Sequence, residues 1–261
     1  MTEEEWLTSS DPSTVLEFLE GKASDRKLRL FEVACCRRLW HLLDDEHCRR
    51  LVEVGRWIGG CDGLNDLPLD SCRRAVELAE RCADEEVPSD ELNALSEAAF
   101  AFTRPSCYYS ACYSEGYGEF DTELMASGSA AGAAEVASKR FLHPTGVVWQ
   151  AAHAVGYLRS TGYGESEQGG DTAERAAHCD LLREIFGNPF RPVSVNPSWL
   201  DSSVVTLARQ MYEGRDFSLI PILADALQDA GCDSGDVLEH CRGDGTHVRG
   251  CWVVDLLLGE E

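Results

Sequence analysis

The sequence predicts an all-α protein, an irregular multi-helix bundle with room for two helical lobes. Three observations predict it. Apolar residues recur at steps of three and four through most of the chain. Helix-starting residues stand before these stripes, and glycine or proline closes them. No convincing alternating pattern, the mark of a half-buried strand, appears.

Asp11-Pro12 opens a helix. Asp caps it, and proline suits the first turn, where an amide N–H would have no partner. Val15, Leu16, Phe18 and Leu19 form its apolar face, and Gly21 ends it. Ser24 caps the next helix, which reaches about Leu43 with Leu28, Phe31, Cys35, Leu39 and Leu42 on one stripe. Asp44 restarts the chain into a third, with Leu51, Val54 and Ile58 inward and Gly59-Gly60 at its end. Asp70 and Pro88-Ser89 open a fourth and a fifth. Cys48-Arg49-Arg50 and Cys72-Arg73-Arg74 begin similar stretches, one amphipathic pattern used twice rather than a solenoid.

Residues 104–120, RPSCYYSACYSEGYGEF, break the helical pattern and read as a Tyr/Cys-rich loop. Tyrosine is large, rigid and amphipathic, which suits protein contacts. Tyr108, Tyr109, Tyr113 and Tyr117 are therefore candidate partner-binding residues. Helix returns from about Asp121 to Arg140 in small residues, and again over Thr145 to Arg159. The N-terminal lobe is thus 1–159. The polar, glycine-rich stretch 160–170 is a flexible linker or loop. The C-terminal lobe, 171–261, packs on the first. It begins at Asp171-x-x-Glu174, which resembles a capping box, carries Leu181, Leu182, Ile185 and Phe186 inward, and stops at Gly187 and Pro189. Helices follow over about Asp201–Glu213, Ser218–Ala230 and Ser234–Cys241. His247 to Leu258 is apolar enough to be buried as helix or strand.

Asp and Glu number 46 against 23 Lys and Arg, a net charge of −23. Such a field repels phosphate backbones and anionic lipid, so neither nucleic acid nor membrane is an expected partner. The arginines between Arg26 and Arg56 alternate with acids and read as a solvated helix face. No apolar run reaches the 18 residues of a membrane span. The acidic start, MTEEEWL, is unlike a signal peptide, so a cytoplasmic, reducing setting is expected. There the twelve cysteines are core thiols, metal ligands or reactive groups.

The sharpest candidate site is C-terminal. Cys232, Cys241, His247 and Cys251 supply four soft or borderline donors, enough for tetrahedral zinc. The spacing is unlike the paired ligands of common zinc folds, and there is no CxxC. The alternative makes Cys232 and Cys251 core thiols and puts His240 at a helix end. Cys35, Cys36, His41, His47 and Cys48 read as core and rim of a helical hairpin. Cys107-x4-Cys112 is a reactive thiol pair, a metal loop or part of an irregular insertion. No nucleophile elbow, P-loop or dinucleotide fingerprint is present, so no catalytic or cofactor-binding residue is assigned. No cofactor is expected, with zinc the one candidate.

The blocks MTEEEWL, SDRKLRLFEVACCRRLWHLL, LLREIFGNPFRPV and LADALQDAGCDSGDVLEHCRGDGTHVRGCWVVDLLLG resemble a large paralogous family of planctomycete proteins. The resemblance covers roughly residues 1–55 and 178–261. It implies a cytoplasmic bacterial protein and brings no activity or site residue with it. Val33 stands where the family pattern has another cysteine, which weakens a metal role for Cys35 and Cys36. The expected role is a non-enzymatic, acidic interaction or adaptor module that binds a protein partner. The alternatives are a zinc-stabilised Cys/His module and a cysteine-dependent enzyme.

Overall fold

The computed structural model describes residues 1–58, 64–114, 121–139, 142–159 and 171–260, with the backbone alone for 57, 58, 65 and 107–114. Among them there are thirteen α-helices and no strand. The first nine are α1 (Glu3–Thr8), α2 (Pro12–Leu19), α3 (Asp25–Arg38), α4 (Asp45–Ile58), α5 (Ser71–Asp84), α6 (Ser89–Ser114), α7 (Thr122–Ala137), α8 (Pro144–Arg159) and α9 (Thr172–Phe186). The last four are α10 (Ser202–Gly214), α11 (Ile220–Asp229), α12 (Gly235–Arg242) and α13 (Trp252–Leu258).

Side-chain caps set most of the starts. Asp11, Ser24, Asp121, Asp171 and Asp201 each accept a first-turn backbone N–H that would otherwise lack a partner. The expected box at Asp171 is half made. Asp171 accepts from the Glu174 N–H, but the Glu174 carboxylate turns away to a bidentate pair with Arg38 of α3, at 2.6 and 2.8 Å. Burial works to raise that carboxyl, yet the bonds from Arg38 and His178 outweigh it and hold it at about 2. The second predicted helix divides: α3 ends at Arg38, and a 3-10 turn covers Trp40–Leu43. The segment 247–258 resolves into a turn and helix α13.

The expected loop at 104–120 is corrected over its first part, because α6 continues to Ser114 through Pro105. Around the proline, the Thr103 and Ser106 hydroxyls bond the carbonyls of Phe100 and Thr103. Packing holds the helix on course. A Cβ on Gly128 of α7 would stand 1.9 Å from Ser106 Oγ, so α6 and α7 approach at a distance only glycine permits. Residues 115–120 lie outside the described residues.

Buried apolar side chains form two cores. The first is built from α1–α9, the second from Trp199 and α10–α13. Helix α9, read from sequence as the start of the C-terminal lobe, gives Cys179, Leu181, Leu182 and Ile185 to the first core. The cores therefore divide over residues 187–198. The linker expected at 160–170 lies outside the described residues. Phe31, Leu39, Leu181, Ile185 and Leu223 are buried as expected, while Leu28 is half-buried. Eight of the nine described free cysteines are buried, and Cys82 is half-buried. Among the described residues no helix is long and apolar enough to cross a membrane.

An arginine-rich seam joins the cores. Arg26 of α3 binds Asp84 of α5 at 2.7 Å, and Asp255 of α13 at 2.8 Å. It also donates to the Tyr212 hydroxyl at 2.7 Å. Tyr212 in turn donates to Asp84, which also receives Arg249 at 2.7 Å. Glu80 is shared by Arg37 and Arg215 at 2.7 and 2.9 Å. Elsewhere, Glu32 of α3 is wholly buried. It accepts the His143 N–H at 2.7 Å, and the Arg29 guanidinium stands 3.8 Å away. Burial, against Arg29 and His143, pushes its carboxyl up to about 8.

Candidate metal centre

A second polar seam lies where α9 meets α12 and α13. Glu184, in the last turn of α9, reaches across to His240 on α12, His247 in the following loop and Cys251 at the start of α13. One ligand atom from each of the four lies within 4.8 Å of the others. Glu184 Oε1 is 3.1 Å from His247 Nδ1, and Glu184 Oε2 is 3.3 Å from His240 Nε2. His240 Nε2 is 3.2 Å from Cys251 Sγ. The carboxylate and thiol are buried and the two rings nearly so.

Local sequence explains the convergence. Gly250 has φ +95°, and a Cβ there would sit 3.0 Å from Leu30 Cδ1. The chain thus passes directly against α3, and Cys251 arrives beside Glu184. Its N–H is held by the Val248 carbonyl at 2.9 Å.

Burial, opposed by Glu184 and aided by His247, moves the His240 imidazole below its usual value. Burial, reinforced by Glu184, raises the Cys251 thiol well above its own. A protonated, wholly buried thiol is no nucleophile. It is a metal ligand once a cation displaces its proton. One sulfur, two imidazole nitrogens and a carboxylate oxygen make a borderline donor set that suits zinc. His247 Nε2 is buried without a hydrogen-bond partner among the described residues.

His240 carries a constraint of its own. The Trp252 indole N–H donates to His240 Nδ1 at 3.0 Å. An indole nitrogen only donates, so Nδ1 must be the lone-pair nitrogen and the ring proton sits on Nε2, facing Glu184 and Cys251. A metal bonded to Nε2 moves that proton to Nδ1. The Trp252 bond cannot survive the change.

Two of the expected zinc ligands, His247 and Cys251, are in this group, with Glu184 and His240 in the other places. Cys232 and Cys241 are buried in the second core instead. The reason is helical geometry. His240 and Cys241 are neighbours on α12, about 100° apart around the axis. His240 faces the seam, and Cys241 faces the core. Glu184 carries a signal that sequence reading passed over: it lies three residues from Leu181 and one from Ile185, an acid on an apolar stripe. His47 binds Asp44 at 2.7 Å and stands 3.5 Å from Glu123. That reading of the 35–48 cluster as core and rim agrees with the burial of Cys35, Cys36 and Cys48. Tyr108, Tyr109 and Tyr113 fall on the described backbone of α6, and Tyr117 lies outside the described residues. Comparisons of the chain with protein-family models, curated proteins and solved structures return no match.

Proposed function

We propose that the protein is a non-enzymatic helical interaction module whose C-terminal core is clamped to its N-terminal body by zinc on Glu184, His240, His247 and Cys251. The observation that carries the clamp is the convergence of four zinc-type donors within 4.8 Å, one from α9 and three from the other side of the seam. A structural site closed by four protein ligands adds its binding energy to folding. The thiols of Cys35, Cys36, Cys241 and Cys251 are all raised by burial, which speaks against any of these four as a nucleophile. Free thiols and the strong negative charge suit a cytoplasmic protein that binds other proteins.

Elemental analysis of protein purified without added metal tests the clamp. One zinc per chain is expected in the native protein, falling to a trace in His240→Ala and Cys251→Ser. Folded native protein with no zinc, or variants that keep it, would overturn the assignment. Zinc loading also frees the Trp252 indole N–H. Its proton resonance should move on titration, while Trp199 in the second core stays in place.

A further inference from the structure

Trp252 stands between the Glu184 seam and the space beside it. It follows Cys251 in the chain and opens α13. Its indole N–H donates to His240 Nδ1 at 3.0 Å, with the two rings 5.1 Å apart. The ring also meets the end of α9, the helix that carries Glu184. Gly187 caps that helix with φ +63°, and a Cβ there would sit 3.1 Å from the Trp252 ring. On the open side lies a cavity of about 670 Å³ where the two cores meet, with Trp6, Leu19 and Phe186 on one wall and Trp252 and Leu256 on the other.

The indole bond points the wrong way for a metal ligand. A metal-bound imidazole ordinarily donates its second ring N–H to a carboxylate, a carbonyl or water, and that bond helps to hold the metal. Here the group aimed at the second nitrogen is itself a donor, and an indole nitrogen offers no lone pair in return. With zinc on Nε2, His240 Nδ1 carries the hydrogen, and two N–H groups face each other. One must turn away. The metal fixes His240, so the ring that moves is Trp252, and the cavity gives it room. The indole bond and the metal exclude each other.

We infer that Trp252 is a positioning residue that holds zinc affinity down, by keeping His240 in the tautomer that a metal has to undo. The clamp is thereby an exchangeable one that follows the supply of zinc. The inference rests on the zinc reading of the seam and names how that seam is regulated. Zinc takes the lone pair at Nε2, the Nε2 proton leaves to water, and Nδ1 takes one up. The ring stays neutral, and the net cost is the indole bond. A neutral hydrogen bond of ordinary worth corresponds to about three- to tenfold in affinity.

The test compares the zinc dissociation constants of the full native chain and Trp252→Phe, by competition with a chromophoric chelator. Cys251→Ser supplies the baseline, and helicity is measured on each sample. Phenylalanine keeps a ring against Gly187 but has no N–H. The expected result is zinc bound about three- to tenfold more tightly by Trp252→Phe. A role in packing alone gives the opposite sign, because a smaller ring loosens the site. Equal or weaker binding by folded Trp252→Phe overturns the inference and leaves the clamp standing. Zinc held by the variant but not by the native chain upholds the inference and overturns the clamp. Zinc held by neither overturns both. A second measurement does not depend on that variant folding. Nitrogen-15 spectra of the chelator-treated native chain, with His240→Ala identifying the ring signals, should show the His240 proton on Nε2 and its transfer to Nδ1 as zinc is added. A proton already on Nδ1 before zinc overturns the inference.

Discussion

The two seams between the cores solve one problem in different ways. Each buries carboxylates where two apolar masses meet. At the arginine seam, Asp84, Asp255 and Glu80 are matched by guanidiniums and a tyrosine hydroxyl, so the protein supplies its own counter-charge. At the second seam, Glu184 meets two imidazole rings and a thiol rather than a guanidinium. A buried carboxyl group among metal-type donors is where the proposed zinc would supply the counter-charge. Glu32, wholly buried with the Arg29 guanidinium 3.8 Å away, shows a third solution: it keeps its proton. The contrast teaches that a buried carboxyl group can be answered by arginine, by the proposed metal or by its own proton, and each choice responds to a different reagent.

The arginine seam should break hardest. Arg26→Ala leaves Asp255 buried without its partner, and loss of one member of a buried pair costs about 3–5 kcal/mol. Urea unfolding of the variant measures it; a loss below about 1 kcal/mol would mean that water reaches Asp255. The Glu184 seam should answer to chelator instead. With free zinc at about 100 times its dissociation constant, binding adds about 2.7 kcal/mol, which EDTA should remove from the native chain but not from Cys251→Ser. An unfolding midpoint indifferent to EDTA would reduce this seam to hydrogen bonds.

The protonated solution should answer to pH. Glu32 has a folded value of about 8, above the ordinary carboxyl range, so the folded state holds a proton that the unfolded chain releases. That contribution is complete below the unfolded value and is lost as pH rises towards about 8. The slope is roughly 1.4 kcal/mol per pH unit at its steepest. Glu32→Gln, which cannot titrate, should flatten the stability profile between pH 5 and 8. A profile with the native slope would place the titration elsewhere. The smallest effect is expected from Tyr212→Phe, which removes one hydroxyl from the arginine seam and leaves every charge paired. About 1 kcal/mol is expected in the same unfolding assay. A loss as large as that of Arg26→Ala would show that the hydroxyl organises the whole network.

Much of the fold was legible because helices are local. The stripes through Phe31 and Ile185 and the caps at Asp11, Ser24 and Asp171 depend on residues a few positions apart. The loop expected at 104–120 went astray because proline and tyrosine report local preference, whereas α6 is held past Pro105 by its contact with Gly128. The zinc candidates were half legible for the same reason. His247 and Cys251 share a short segment, but Glu184 comes from another helix 56 residues before His240, and no spacing rule reaches that far. Between His240 and Cys241, sequence alone had no way to say which faced the seam.

Trp252 belongs to two neighbourhoods at once. Its indole nitrogen holds His240, and its ring lines a cavity of about 670 Å³ where the two cores meet. Thermodynamic reciprocity then applies to the pair. A ligand that shifts the ring must change how tightly His240 holds a cation, and the cation must change the ligand's affinity by the same factor. A single side chain would thus make the proposed metal and any occupant of that cavity readable from one another.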